Sequence, residues 1–393
     1  MAAAEDTAKD AAARVLRAGS ERLVDLSHRI HAHPEVGFEE SLAAGWVADA
    51  LSEGGFEVAL GVCELPTALV ATVGDGPLHV GICAEYDALP GIGHACGHNM
   101  IAAAAVGAGV ALAPLASDLG LTVHVLGTPA EEGGGGKILM LGRGGFDGVH
   151  AAMMVHPSPH EAWTMPCLAV NHLGVRYCGK ASHASAYPEM GVNAADAVTV
   201  AQTAIGLLRQ HIRPTDRIHG IVTHGGEAPN IVPALATGEW YVRSRTLAEL
   251  AELEPRVQRC FEAGALATGC SVEVASRGTP YSEMVPDGQI GALYQTNAEA
   301  IGREFPLYSE DAALRTAGST DMANVSLVIP TIHPMLGLGC WPAVNHQPEF
   351  AAYCATAVAD AALVDGALAM AWTAIDVSRP GPLRDRLLAG ATL

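Results

Sequence analysis

Charge is scarce in this 393-residue chain: only 16% of residues are charged, and the 22 basic side chains are outnumbered by 42 acidic ones, leaving a net charge of −20. Nothing in that balance tracks a phosphate backbone or an anionic lipid surface, so nucleic acid and membrane are not expected partners. There is no CxxC pair and no disulfide framework, and nine cysteines is an odd number. Free thiols in a reducing, cytoplasmic setting are the expectation. Residues 1–10 carry acids and a lysine where an export signal needs a basic start and an apolar stretch. The one membrane-like run, Met100–Ala116, is short, rich in Ala and Gly, and closed by Pro114, which suits a buried helix better than a span. No internal repeat or low-complexity tract is present.

The length exceeds the roughly 250–300 residues at which a single core stops growing, so a large domain with a smaller companion is expected. In Ser20–His33, Leu23, Leu26 and Ile30 stand at helical spacing until Pro34 stops the pattern. Thr67–Val73, Leu78–Ala84 and Leu121–Gly127 are short apolar runs bounded by Gly and Pro, the pattern of buried strands. With the Met100–Ala116 helix between the last two, they set the strand–helix–strand rhythm of an α/β sheet. From Leu168 the character changes. Strand-like Leu168–Cys178, helical Asn193–Ile212, strands Ile218–Thr223 and Ala236–Val242, helix Leu247–Ala267 and strand Ser271–Ser276 follow one another as a βαββαβ unit. Because α/β-like segments resume after Pro286, this unit reads as an insertion at 168–284, within a domain made of 1–167 and 285–393.

The densest chemical signal is GIGHACGHN, where His94, Cys96 and His98 crowd a Gly-rich loop just before a helix. Thiolate and imidazole at this spacing suit zinc or a similar transition metal, although the string alone equally fits a buried thiol with hydrogen-bonded histidines. TPAEEGGGGK places Glu131 and Glu132 directly after a strand, where α/β sheets gather their sites. A phosphate loop is excluded there, because Ile138 stands where Ser or Thr should follow Lys137. Two adjacent acids can instead divide the work, one holding metal and the other moving a proton. His156 in VHPSPH and His346 in WPAVNHQPEF are each, taken singly, as easily structural. Together with Cys96, His98 and Glu132 they would fill a dinuclear site.

Taken in order, HAHPE, AEYDALPGIGHACGHN, PAEEGGGG, HPSPH, GKASHASAYPEMGVNAADA, NIVP, YVR, GSTDMANVS and NHQPEF resemble the aminoacylase and glutamate-carboxypeptidase metallopeptidases over nearly the whole chain. The branch is that of aminobenzoyl-glutamate and indole-acetyl-amino-acid hydrolases, and within it DALPGIGHACGHN and GSTDMANVS are most similar to dipeptidases acting on dipeptides with basic C-terminal residues. The resemblance implies a zinc-peptidase-like catalytic domain, with a mixed sheet between helices, and an inserted α+β lid that dimerises. It implies two divalent ions, zinc first with manganese or cobalt as alternatives, on Cys96, His98, Glu132, His156 and His346, with Cys96 bridging. Glu131 would be the general base. His183 and Asn230 would reach the neighbouring subunit's site in a homodimer and bind the carbonyl oxygen, and Arg243 would hold a substrate carboxylate. Thr320, in GSTDMANVS, is counted with the substrate-binding residues. Asp87 is expected to support a ligand from behind, and Glu85 stands where aminoacylases proper carry a metal-binding histidine. Ala323 replaces an expected glycine. The expected reaction is hydrolysis of the amide bond of a small dipeptide or N-acyl amino acid. The alternatives are an inactive metal-binding scaffold and an amidase or deaminase acting on an aromatic amide or aniline.

Overall fold

In the computed structural model, which describes residues 2–306 and 317–390, the chain divides into two compact units, 1–166 with 284–393 and 167–283. The first is built on a six-stranded sheet. Its strands β1 (Glu57–Leu60), β2 (Leu69–Gly74), β3 (Leu78–Ala84), β4 (Leu121–Gly127) and β5 (Ala151–Met153) lie in the order β1-β2-β4-β3-β5, with Thr331–Ile332 beyond β5. β4, β3, β5 and Thr331–Ile332 run parallel to one another, while β1 and β2 pair antiparallel at one edge. Central strands covered on both faces carry near-continuous apolar runs rather than alternation. That is why β3 and β4, buried over nearly their whole length, were readable to the residue.

Against the sheet lie α2 (Ser41–Glu53) and α3 (His98–Leu112), and α1 (Ala2–Ala32) and Ala357–Val377 pack on α3. α3 is apolar all round and buried on every side except Val110, as a helix must be when neighbours surround it. Its small residues let those neighbours close in: a Cβ on Gly107 would stand 2.8 Å from Leu23 and 3.1 Å from Ala367. Among the described residues two helices, His98–Leu115 and Ala357–Val377, are long and apolar enough to cross a membrane, and 78% and 61% of their windows are buried inside the fold. They are core helices of this domain. The helix expected from Ser20 begins much earlier, at Ala2, and ends at Ala32 just ahead of Pro34. After β5 the chain adds β6 (His156–Ser158), paired in parallel with Met335–Gly337.

The second unit is an antiparallel sheet of β7 (Ala169–Cys178), β8 (Arg217–His224), β9 (Leu235–Ser244) and β10 (Ser271–Ser276) in the order β10-β7-β9-β8. α5 (Ala194–Leu208) and α6 (Leu247–Thr268) pack on the face to which β9 turns Ala236, Trp240 and Val242; α4 is Gly136–Gly142 of the first unit. Asn193 caps α5 through its side-chain oxygen, and Thr246 caps α6. The βαββαβ order read from the sequence is the order found.

Candidate metal centre

The parallel strands β3, β4 and β5 end on the same edge of the sheet, and each runs into a loop carrying acids or a histidine. α/β sheets place their chemistry at this carboxyl edge. β3 leads to Glu85 and Asp87, β4 to Glu131 and Glu132, and β5 to His156. Between Cys96 and His98 the chain turns through Gly97 at φ +76°, where a Cβ would meet the Pro157 ring at 2.8 Å. Only glycine permits that turn. Ala130, at φ +55°, is a left-handed residue with a side chain, held by donation of its N–H to Glu40 Oε1 at 2.8 Å. His346 is likewise left-handed at φ +68°, its N–H donating to Ala95 O at 2.8 Å. Such strain, roughly 1–3 kcal/mol per residue, clusters where function fixes the backbone.

Three sets of donor atoms each lie mutually within 4.8 Å: Cys96, His98 and His156; Cys96, Glu132 and His346; His98, Glu131 and Glu132. Cys96 belongs to two of them. The tautomers of both inner histidines follow from their neighbours. His98 Nδ1 donates to Asp87 Oδ1 at 3.0 Å, and His156 Nδ1 donates to Pro157 O at 2.8 Å, leaving each Nε2 lone pair for a ligand role. The other oxygen of Asp87 accepts the N–H of Glu132 at 2.9 Å, so one carboxylate orients both a histidine and a glutamate. His98 Nε2 stands 3.8 Å from Glu132 Oε1 and 3.9 Å from Glu131 Oε2, and His346 Nε2 stands 3.5 Å from Glu132 Oε2.

This set fits a pair of metal ions. His98 Nε2 and Glu132 Oε1 are buried with no hydrogen-bond partner, which proteins avoid because each such atom costs a desolvation penalty. Burial, then Glu132 and Glu131, pushes the Cys96 thiol well above the ordinary range. Burial, then Glu85 and Glu132, raises the Glu131 carboxyl likewise. A bound cation inverts that balance, and mixed sulfur, nitrogen and oxygen donors suit zinc and its neighbours.

Other residues fall outside these sets. His94, singled out with Cys96, is buried, its ring pushed down to about 3 by burial and the nearby His98 and His31. His333 was not foreseen. Its ring centroid is 5.4 Å from that of His156, and burial holds it at about 4. Lys137, which follows the four glycines without forming a phosphate loop, is fully buried, with Nζ 2.6 Å from Asp321 Oδ1 and in contact with Glu85. A lysine in the otherwise apolar run KILML was the signal that carboxylates must meet it. Thr320 is buried, with Oγ1 accepting the N–H of Met322 at 3.2 Å.

Within the second unit, His183 and Asn230 are brought together: Ala184 N donates to Asn230 O at 3.0 Å, and His183 pairs with Ile231 as a β-bridge. His183 is exposed, and its Nδ1 accepts the N–H of Ala186 at 3.1 Å, leaving Nε2 as the ring atom able to donate. Arg243 lies over the Tyr241 ring at 5.7 Å and donates to His219 at 3.3 Å.

A mixed α/β sheet with candidate metal ligands clustered at its carboxyl edge is an architecture on which metal-assisted hydrolysis can be built. Residues 81–370 match Peptidase family M20/M25/M40, and the chain belongs to that family. It is 40% identical over 394 residues to the Xaa-Arg dipeptidase of Mus musculus, spanning 94% of this chain and 88% of that protein. Its fold is shared by an aminobenzoyl-glutamate utilization protein from Klebsiella pneumoniae (TM-score 0.73, 19% identity, 94% of this chain and 99% of that one). It is shared as well by a dinuclear metal-binding M20 peptidase from Bacillus subtilis (TM-score 0.68, 22% identity, 92% and 99%).

Proposed function

We propose that the protein is a two-metal dipeptidase and amidohydrolase that cleaves small dipeptides or N-acyl amino acids, with Glu131 as general base. Cys96, His98, Glu132, His156 and His346 hold the ions, zinc first, with manganese or cobalt as alternatives. The observation that carries this reading is the sharing of Cys96 between two donor sets, with Glu131 in a third that overlaps them. Similarity to an Xaa-Arg dipeptidase favours dipeptides with a basic C-terminal residue, and the net charge of −20 favours a cationic substrate.

When bound, such ions lower the pKa of water from ~15.7 to about 7 and polarise the scissile carbonyl. The chain supplies the rest. Glu131 accepts the proton of the attacking water and hands it to the leaving nitrogen. Asp87 and Pro157 O keep His98 and His156 in the tautomers that present Nε2. His183, through its Nε2–H, and Asn230 donate to the carbonyl oxygen as it gains charge, Arg243 holds the substrate carboxylate, and Thr320 contributes to the substrate pocket.

The proposal includes a homodimer formed through the 168–284 unit, which acts as a lid and lends His183 to the neighbouring site. The edge strand β8 supports it, since among the described residues it pairs only with β9 and it exposes Ile221 and Val222. A cytoplasmic location is proposed as well, in keeping with nine free thiols. The test is release of free amino acid from a panel of Xaa-Arg, Xaa-Lys, β-alanyl-lysine, aminobenzoyl-glutamate and N-acetyl substrates, before and after metal reconstitution. Cleavage of the basic dipeptides that is lost on chelation is expected. Activity on aromatic amides lacking a carboxylate, indifferent to Arg243→Ala, would overturn the substrate assignment.

A further inference from the structure

Glu85, Lys137 and Asp321 form a buried ion cluster that the reaction scheme above leaves unused. All three side chains are wholly inaccessible. Lys137 is the second residue of α4, and it grips Asp321 twice: its N–H donates to Oδ2 at 2.9 Å and its Nζ to Oδ1 at 2.6 Å. The same ammonium contacts Glu85 Oε1. The second oxygen of Glu85 has no hydrogen-bond partner and stands 3.5 Å from His98 Nε2.

That last pairing requires an explanation. With Nδ1 donating to Asp87, Nε2 is the ring atom His98 turns towards Glu85, and it presents a lone pair whenever the ring holds an ion. A carboxylate oxygen and an imidazole nitrogen facing each other in a dry interior need positive charge between them, a proton in the metal-free protein or a bound cation in its place. Lys137 makes no hydrogen bond to the second oxygen, and an ion held on His98 Nε2 would stand against it. Lys137 also tethers the two carboxylates against each other, which removes the rotational freedom Glu85 would need to turn away.

Building on the two-metal reading, we infer that Glu85 is a further carboxylate of the metal centre, aimed at the ion on the His98 and His156 side, and that Lys137 is the positioning residue that aims it. The contribution is to ion affinity and to the electronic environment of that ion. Lys137 acts through Glu85 and touches neither ion nor substrate.

The test measures metal binding rather than turnover alone. Zinc affinity is determined by chelator competition, cobalt-loaded protein is examined by visible absorption, and the metal-free proteins are melted for comparison. Glu85→Gln preserves shape and leaves Lys137 paired with Asp321, so it folds. It is expected to weaken one of the two ions by about 10–100-fold, the usual worth of a residue supporting a metal site, and to shift the cobalt absorption. Lys137→Met is expected to weaken the same ion and to lower the melting temperature of the metal-free protein as well. A Glu85→Gln protein with wild-type affinity for both ions and an unchanged cobalt spectrum would overturn the inference, reducing Glu85 to a structural counter-ion of Lys137. A wild-type protein that binds no metal would overturn the two-metal reading itself, so the two failures are distinct.

Discussion

Asp87→Asn is a sharp test of how the metal-binding side chains are held. Asp87 is 1% exposed and accepts two hydrogen bonds, from His98 Nδ1 at 3.0 Å and from the Glu132 N–H at 2.9 Å. Asparagine has the same shape but only one acceptor atom, so its amide must face one of those donors. If the amide faces His98, the ring moves its proton to Nε2, the atom needed for metal. If it faces Glu132, a buried N–H is orphaned at a cost of about 1–3 kcal/mol. Either outcome harms the centre, and the loss of an orienting carboxylate typically costs about 10–100-fold in metal affinity, roughly 1.4–2.7 kcal/mol. Chelator competition measures the affinity, and near-ultraviolet circular dichroism with melting of the metal-free protein measures the loop. Unchanged metal affinity together with unchanged melting would refute the reasoning.

Glu131→Gln is expected to keep both metals and the fold while slowing turnover by about 10²–10⁴-fold; a wild-type rate would mean the base is misassigned. Glu132→Gln should instead lose metal, as elemental analysis of the purified variant will read. Glu131→Ala and His183→Ala, each inactive alone, should recover about a quarter of wild-type activity after subunit exchange, because half the dimers are mixed and each of those has one sound site. No recovery, with exchange verified, would place His183 in its own chain's site. Finally, burial holds His124 and His172 at about 4 in the folded protein. At these two sites the unfolded chain then binds more protons below about 6.5, so their contribution to stability falls as pH drops from about 6.5 towards 4. Comparing melting temperatures of the metal-free wild type and His124→Gln at pH 7 and pH 5 should show it, the variant gaining relative to the wild type at pH 5. The same difference between the two proteins at both pH values would contradict the assignment.

What the sequence disclosed tracks how local each signal is. β3, β4 and β10 were readable because each is an apolar or alternating run closed by Gly or a charged turn. The start of α1 was not, since its first residues are mostly alanine and charge, with no stripe to mark them. Thr331–Ile332 and Met335–Gly337 are too short for periodicity to register, and exist because β5 and β6 offer them parallel partners. In the metal centre, Cys96 and His98 announced themselves by crowding, whereas the pairing of Asp87 with both His98 and the Glu132 N–H needed coordinates. The grip of Lys137 on Asp321 spans 184 positions, and a single lysine beside four glycines gave no direction in which to look.

The central claim is that the chain hydrolyses amide bonds with two ions gathered around Cys96. Its most direct test is titration of zinc into chelator-stripped protein while cleavage of an alanyl-arginine dipeptide is followed in the same samples. Activity absent without metal and restored to a plateau at close to two ions per chain, with neither effect in Cys96→Ala, is the expected result. Full cleavage by the stripped protein, or saturation of metal binding in the wild type with Cys96→Ala indistinguishable from it, would contradict the account.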